Sequence, residues 1–192
     1  MIFYANIIDK KSGLCAVGTG ANTEKYKSLG MEEKDVEQSE VDGKWYLKPL
    51  CPHYTDEEKL NNAKADKLAQ LKAISQKYTV NDCDEMFLTS SLGYAINADK
   101  TAQDNIRGLI EAHEETDLIK YKLYDNSFKD ITIADLKIML KECAQNGENL
   151  YTQKFLYQAQ INACTSIEEV NAIEIVFEMM DFSKSDTETD SE

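Results

Sequence analysis

The chain has 192 residues, enough for one domain or two small ones with a real core, and 35 acidic against 21 basic residues give a formal net charge of -14. That imbalance repels phosphate backbones and anionic headgroups, which disfavours nucleic-acid and membrane-surface partners. No apolar run approaches the roughly 20 residues that span a bilayer, and the opening MIFYANIIDKKSG lacks a basic stretch leading into an apolar one. The expectation is a chain neither inserted in a membrane nor exported by the ordinary signal route.

Ile2 to Ile8 is β-branched and aromatic and reads as a strand. Asp9 to Gly13 supplies turn chemistry, and Leu14 to Val17 returns, completing a hairpin. Asn22 or Thr23 caps a short helix, Thr23 to Leu29, stopped by Gly30. Val36 to Val41 and Lys44 to Lys48 flank Asp42 and Gly43, a pair suited to the positive φ angles of a type I′ turn, and form a second hairpin. Pro49 and Pro52, the only prolines, place the end of a small β-rich head, residues 1–50, within residues 49–54.

Beyond that boundary the apolar period lengthens from strand-like to helical. Thr55 to Glu58 is a capping box, and the helix it opens carries Leu60, Ala63, Leu71, Ile74 and Tyr78 on one stripe, ending near Tyr78. Lys67 interrupts the stripe, so its stem should lie along the apolar face with its ammonium in water. Two short apolar runs at residues 86–88 and 94–96, around Ser90, Ser91, Leu92 and Gly93, suit another hairpin. A helix follows from about Thr101 to Glu115, with Ala102, Ile106, Leu109, Ile110 and His113 on one face. Leu118 to Tyr124 and Phe128 to Ile131 then flank a turn at Asp125 and Asn126.

Thr132 to Asp135 resembles a second capping start. The stripe Ile133, Leu136, Met139, Leu140, Cys143, Leu150, Tyr157 and Ile161 continues for about eight turns. Gly147 lies inside it at roughly 1 kcal/mol relative to alanine, so Asn146 and Gly147 could instead divide the segment into two helices. Ser166 to Glu169 opens a last helix to about Phe182. The closing SKSDTETDSE has no apolar residue and reads as a disordered, solvated tail, residues 183–192. The fold class is therefore α+β: a small antiparallel β domain, then a mainly helical domain, residues 55–182, with long antiparallel helices and short β-hairpins.

Few residues suggest chemistry. Cys15, Cys51, Cys83, Cys143 and Cys164 include no C-x-x-C pair, which points away from zinc and from a disulfide framework and toward reduced thiols. Gly18, Thr19 and Gly20 after a strand invite a dinucleotide-loop reading, but the third glycine is missing and the next helix is too short, so a plain loop is favoured. His113, on an apolar helix face, reads as a neutral packed ring rather than a base or ligand. Cys51 and His53, two apart on an extended segment, point the same way and admit a thiol-enzyme reading, but no third group is identifiable. Asp82, Asp84 and Glu85 lack the glycine and distal glutamate of a calcium loop. The tyrosines, spread through every element, read mainly as core, and Trp45 as the anchor of the head's small core. The expectation is a protein that is not an enzyme, with no catalytic, cofactor-binding or metal-ligating residues.

Two stretches resemble known proteins. The head, MIFYANIIDKKSGLCAVGTG through VEQSEVDGKWYLK, resembles the N-terminal segments of small tail proteins of phages and prophages. The body, across most of residues 60–175, resembles a phage-tail family catalogued as a domain of unknown function. Its matching pieces here are Asp99 with Gln103, Tyr121 to Asp125 with Asn126, Thr132 to Leu136, and Ile161 to Ile173. The resemblance implies a structural or accessory tail protein linked to tail fibres, made in the host cytoplasm and carried in the virion tail. Its partners would be other tail proteins or a tail-fibre polypeptide, with self-association open and a trimer implied by a fibre. The alternative it implies is a tail-fibre assembly chaperone that is not retained in the virion.

Overall fold

Side chains alternate along β1 (Ile2–Asp9): Ala5 is fully buried and Phe3 and Ile7 pack with it, while Ile2 and Ile8 face outward. This is a computed structural model, describing residues 1–79, 83 and 85–184. The fold is α+β, with 45% helix and 22% strand, an antiparallel β region preceding a mainly helical part. Two compact units divide the chain, Met1–Asn61 and Asn62–Glu192.

In the first unit, β1 pairs antiparallel with β2 (Leu14–Gly18) across the turn that ends at Gly13. Helix α1 (Thr23–Ser28) follows, its N-terminus capped by Asn22, whose side chain accepts from the Lys25 N–H. Next, β3 (Glu32–Gln38) returns to pair with the other edge of β1, and β4 (Trp45–Leu47) joins β2 to β3, closing a four-stranded barrel. Closure leaves room for only a small core of Ala5, Cys15 and Val36, and Trp45 packs against it edge-on to Phe3, with centroids 5.1 Å apart. The β3 strand starts earlier than its apolar residues suggest, because Glu33 and Asp35 occupy its outward side and Glu32, on the Val36 side, lies exposed at its first position. The β3–β4 connection is also longer than a type I′ turn. Gly43 has φ +70°, Asp42 does not share the positive φ, and Ser39 N–H donates to Lys44 O at 2.8 Å, so Val41 belongs to the turn.

A 3₁₀ turn at Lys48–Leu50 leads into α2 (Asp56–Lys77), opened by the capping box of Thr55 with Glu58. The division between the units falls inside α2 rather than at the proline pair. In the second unit, β5 (Phe87–Thr89) and β6 (Ala95–Asn97) form one hairpin. Helix α3 (Lys100–Ala112) is capped by Asp99, and β7 (Leu118–Lys122) with β8 (Phe128–Thr132) forms a second hairpin. Asn126 takes the left-handed conformation at its turn, with φ 66°. The 31-residue helix α4 (Ile133–Ala163) then runs unbroken through Gly147. Its buried stripe, Ile133, Leu136, Met139, Cys143, Leu150 and Ile161, is the spine of the main core. Lys64 Nζ donates to Asn162 O, and Ser75 lines a cavity with Gly147 and Leu150, so α2 runs antiparallel to the second half of α4.

Three expectations are corrected. The Lys67 ammonium, expected to reach only water, is tied back to the chain: its Nζ donates to Ile173 O at 3.1 Å and the residue is half-buried. His113 is the C-terminal cap of α3 and is 41% exposed beside Asp117, because the helix ends at Ala112 before its ring can join the apolar face. The last helix, α5 (Ile167–Ala172), spans six residues, and residues 173–181 leave the helix as an extended segment. In that extended segment Ile173, Ile175, Phe177 and Met179 pack on the core while Glu174, Val176 and Glu178 are exposed, a period of two that no helix satisfies. Asp82 and Asp84, and residues 185–192 of the acidic tail, lie outside the described residues.

The extended strap is held by a file of polar side chains on α4. Tyr157 Oη donates to Val176 O and accepts from Val176 N–H; Gln153 spans both main-chain groups of Glu178; Asn146 Oδ1 accepts from Met180 N–H. A turn of helix rises about 5.4 Å and two strand residues about 6.6 Å, so Tyr157 and Gln153, four positions apart on the helix, meet Val176 and Glu178, two apart on the strap. These side chains stand in for a neighbouring strand. At its far end the strap bridges Thr89 in parallel through Asp181, and Phe182 N–H donates to Thr89 O at 2.8 Å.

Candidate functional site

In the first unit, Cys51 and His53 follow the 3₁₀ turn on an extended segment, which puts both side chains on one side of it. This segment is tied to the end of β3: Ser39 Oγ donates to Pro52 O at 2.8 Å, and Tyr54 N–H donates to Glu40 Oε1 at 3.0 Å. That attachment supplies the third group that local spacing does not show. Glu37, Cys51 and His53 each present a ligand atom within 4.8 Å of the other two. His53 Nε2 is 3.9 Å from Glu37 Oε2, and Nδ1 is 3.9 Å from Glu40 Oε1. Glu40 is itself paired with Lys59 at 3.2 Å, and its carboxyl lies below the usual range, chiefly through that lysine.

The thiol chemistry runs against a nucleophile. Burial raises the Cys51 pKa, and the negative charges of Glu37, Asp42 and Glu40 raise it further. An activated cysteine needs the opposite environment, a nearby cation or helix N-terminus. Burial likewise pushes Cys143 up to about 12 and raises Cys15. The glycines at 18 and 20 serve packing: a Cβ on Gly18 would come within 2.6 Å of the Tyr26 ring, and Gly20 N–H donates to Tyr26 Oη at 2.7 Å. Their loop thus cradles a tyrosine, and α1 is only six residues long.

Two of the grooves on the second unit are candidates for a site. One, of about 610 Å³, lies between α3 and the β7–β8 hairpin. Three of its charged groups are already committed: Asp99 caps α3, Asp104 pairs with Lys100 and Arg107, and Lys120 faces Asp130 at 3.7 Å; Lys122 also lines it. Tyr121, on its wall, is pushed up to about 12, first by burial and then by neighbouring acidic groups. The other groove, about 410 Å³, lies between the end of α2 and the middle of α4, with Tyr78, Met86, Leu150 and Phe177 among its lining. Beside it α4 turns two aromatic side chains outward, Tyr151 at 64% and Phe155 at 48% exposed, their rings edge to face at 4.6 Å, while Leu156, also 64% exposed, lies farther round the helix with Gln153 and Tyr157.

A family model described as a domain of unknown function, DUF4376, matches residues 62–176. The chain belongs to the DUF4376 family. The match begins at Asn62, where the second compact unit begins, and the DUF4376 domain therefore holds the α3–hairpin groove, all of α4 and the first part of the strap. No curated protein and no solved structure matches the chain.

Two features of the DUF4376 protein go beyond the residues singled out from its sequence. Glu37 and Glu40 reach His53 only through barrel closure and carry no sequence spacing that would couple them to it. Asn146, Asn149, Gln153 and Tyr157 do carry a signal, polar residues at helical spacing beside an apolar stripe, and it marks the strap's track.

Proposed function

We propose that this DUF4376 protein is a non-enzymatic phage tail component, structural or accessory and linked to tail fibres, that works through contacts with other polypeptides. Its site is the outward face of α4 at Tyr151 and Phe155, next to the groove at Gly147 and Leu150. Exposed aromatic pairs beside an apolar groove are what protein interfaces use as anchors, because a rigid ring buries much area at little entropic cost. The single observation that carries the reading is this concentration of exposed apolar side chains on the longest helix. The net charge of -14 supports a protein partner over nucleic acid or an anionic membrane. The phage assignment itself rests on the resemblance of head and body described above. Synthesis in the host cytoplasm and residence in the virion tail follow from it.

Mass spectrometry of purified particles tests the reading: presence at fixed stoichiometry supports a tail part, and absence despite strong expression favours an assembly chaperone for a fibre polypeptide. Replacing Tyr151 and Phe155 together with alanine should cut incorporation, or fibre yield in the chaperone case, at least tenfold while the isolated chain keeps its far-UV circular dichroism. Undiminished incorporation and fibre yield in that variant would remove the α4 face from the mechanism.

A further inference from the structure

We propose that Glu37, Cys51 and His53 form a binding site for a zinc-class divalent metal ion in the N-terminal barrel, a property independent of the phage assignment. The three donors are a carboxylate, a thiol and an imidazole, the ligand types that borderline-soft Zn²⁺ accepts together. Their ligand atoms lie within 4.8 Å of one another. In tetrahedral zinc geometry, bonds of about 2.0–2.3 Å put ligand atoms roughly 3.3–3.6 Å apart. Contraction by about an ångström is within the reach of side chains that are not locked in a core: Cys51 is half-buried, and His53 and Glu37 are 48% and 40% exposed. The same exposure gives the ion a path in.

The backbone around the donors is pre-positioned. Glu37 is paired in register with Tyr46 in the barrel, and the Cys51–His53 segment is pinned by the Ser39 to Pro52 hydrogen bond. His53 has the two-sided arrangement of a metal-bound imidazole: Nε2 faces Glu37, while Nδ1 faces Glu40, whose position is set by Lys59 and the Tyr54 N–H. A carboxylate behind the far ring nitrogen orients such a ligand and raises its basicity, which makes Glu40 a positioning residue. Glu37, Glu40 and Asp42 also surround Cys51 with negative charge, a field that attracts a cation. Three protein donors leave a fourth coordination position open.

The test titrates the reduced full-length chain with Co²⁺ alone as a spectroscopic stand-in. Expected are tetrahedral d–d bands and a thiolate-to-cobalt charge-transfer band, saturating at one equivalent and erased by one equivalent of Zn²⁺. Cys51→Ser removes the charge-transfer band, whereas Cys164→Ser, at the other half-buried thiol, keeps it. Glu40→Gln weakens binding roughly tenfold, and His53→Gln and Glu37→Gln weaken it more. A missing thiolate band, a band that survives Cys51→Ser, or equal cobalt affinity in all these variants would overturn the site. Should Cys51→Ser fail to fold by circular dichroism, the exposed His53→Gln variant decides by the same readout.

Discussion

Gln153 holds both main-chain groups of Glu178: its Nε2 donates to Glu178 O at 2.8 Å and its Oε1 accepts from Glu178 N–H at 2.9 Å. A primary amide is the one neutral side-chain group that presents donor and acceptor side by side, so here it imitates the edge of a strand. Two hydrogen bonds of about 0.5–1.5 kcal/mol each are at stake, and Gln153→Ala should cost about 1–2 kcal/mol in urea unfolding. Protease cleavage within residues 173–182 should speed up in the same variant. Cleavage at the wild-type rate would show that apolar packing of Phe177 and Ile173, not the polar file, retains the strap.

Helix α4 continues through Gly147, and a Cβ there would meet nothing within 4 Å. Gly147→Ala should therefore stabilise the chain by about 0.5–1 kcal/mol through reduced unfolded-state entropy and better helix propensity. Since the position lines the α2–α4 groove, the same variant should weaken any partner that inserts there. A chain that becomes less stable would mean that the helix strains to pass this point.

Met139 is fully buried in the middle of the α4 stripe. Met139→Ala should cost about 2–5 kcal/mol, with the spread set by how far the surrounding side chains collapse into the space. Differential scanning calorimetry checks it; a loss below 1 kcal/mol would place the spine of the core elsewhere.

Alkaline titration should separate the tyrosines. Tyr94 and Tyr121 are pushed up from 10.0 to about 12, mainly by burial, while the unfolded chain titrates at the ordinary value. The folded pKa lies above the unfolded one. Their contribution to stability is therefore fully present below about pH 10 and is lost as pH rises through about 12. Of ten tyrosines, these two should be among the last to ionise in the ultraviolet tyrosinate signal, and Tyr121→Phe should delete one equivalent from that late phase. Ionisation of every tyrosine near pH 10 in a chain still folded by circular dichroism would contradict the burial of Tyr121.

Reading the elements from local pattern succeeded where one segment decides its own conformation. The caps at Thr55 and Thr132, the turn at Asn126 and the apolar period of α4 all depend on neighbours within four residues. It failed at residues 173–182, where the capping box at Ser166 and Glu169 starts a helix that ends at Ala172. The alternation of Ile173, Ile175, Phe177 and Met179 was visible, but an isolated strand with no partner strand has no local warrant. Its partners are side chains on a helix, a substitution that only the packed α4 can offer.

Composition and local chemistry by themselves determined the α+β class, the order of helices and hairpins and the anionic surface, because propensity, capping and periodicity act between residues close in the chain. Tertiary structure alone decided that four short strands close on themselves, that Glu37 meets Cys51 and His53, and that α4 supplies the strap's missing strand. Those relationships reach across as many as 34 positions, and their free energy arises only after the intervening chain has paid its loop-closure entropy.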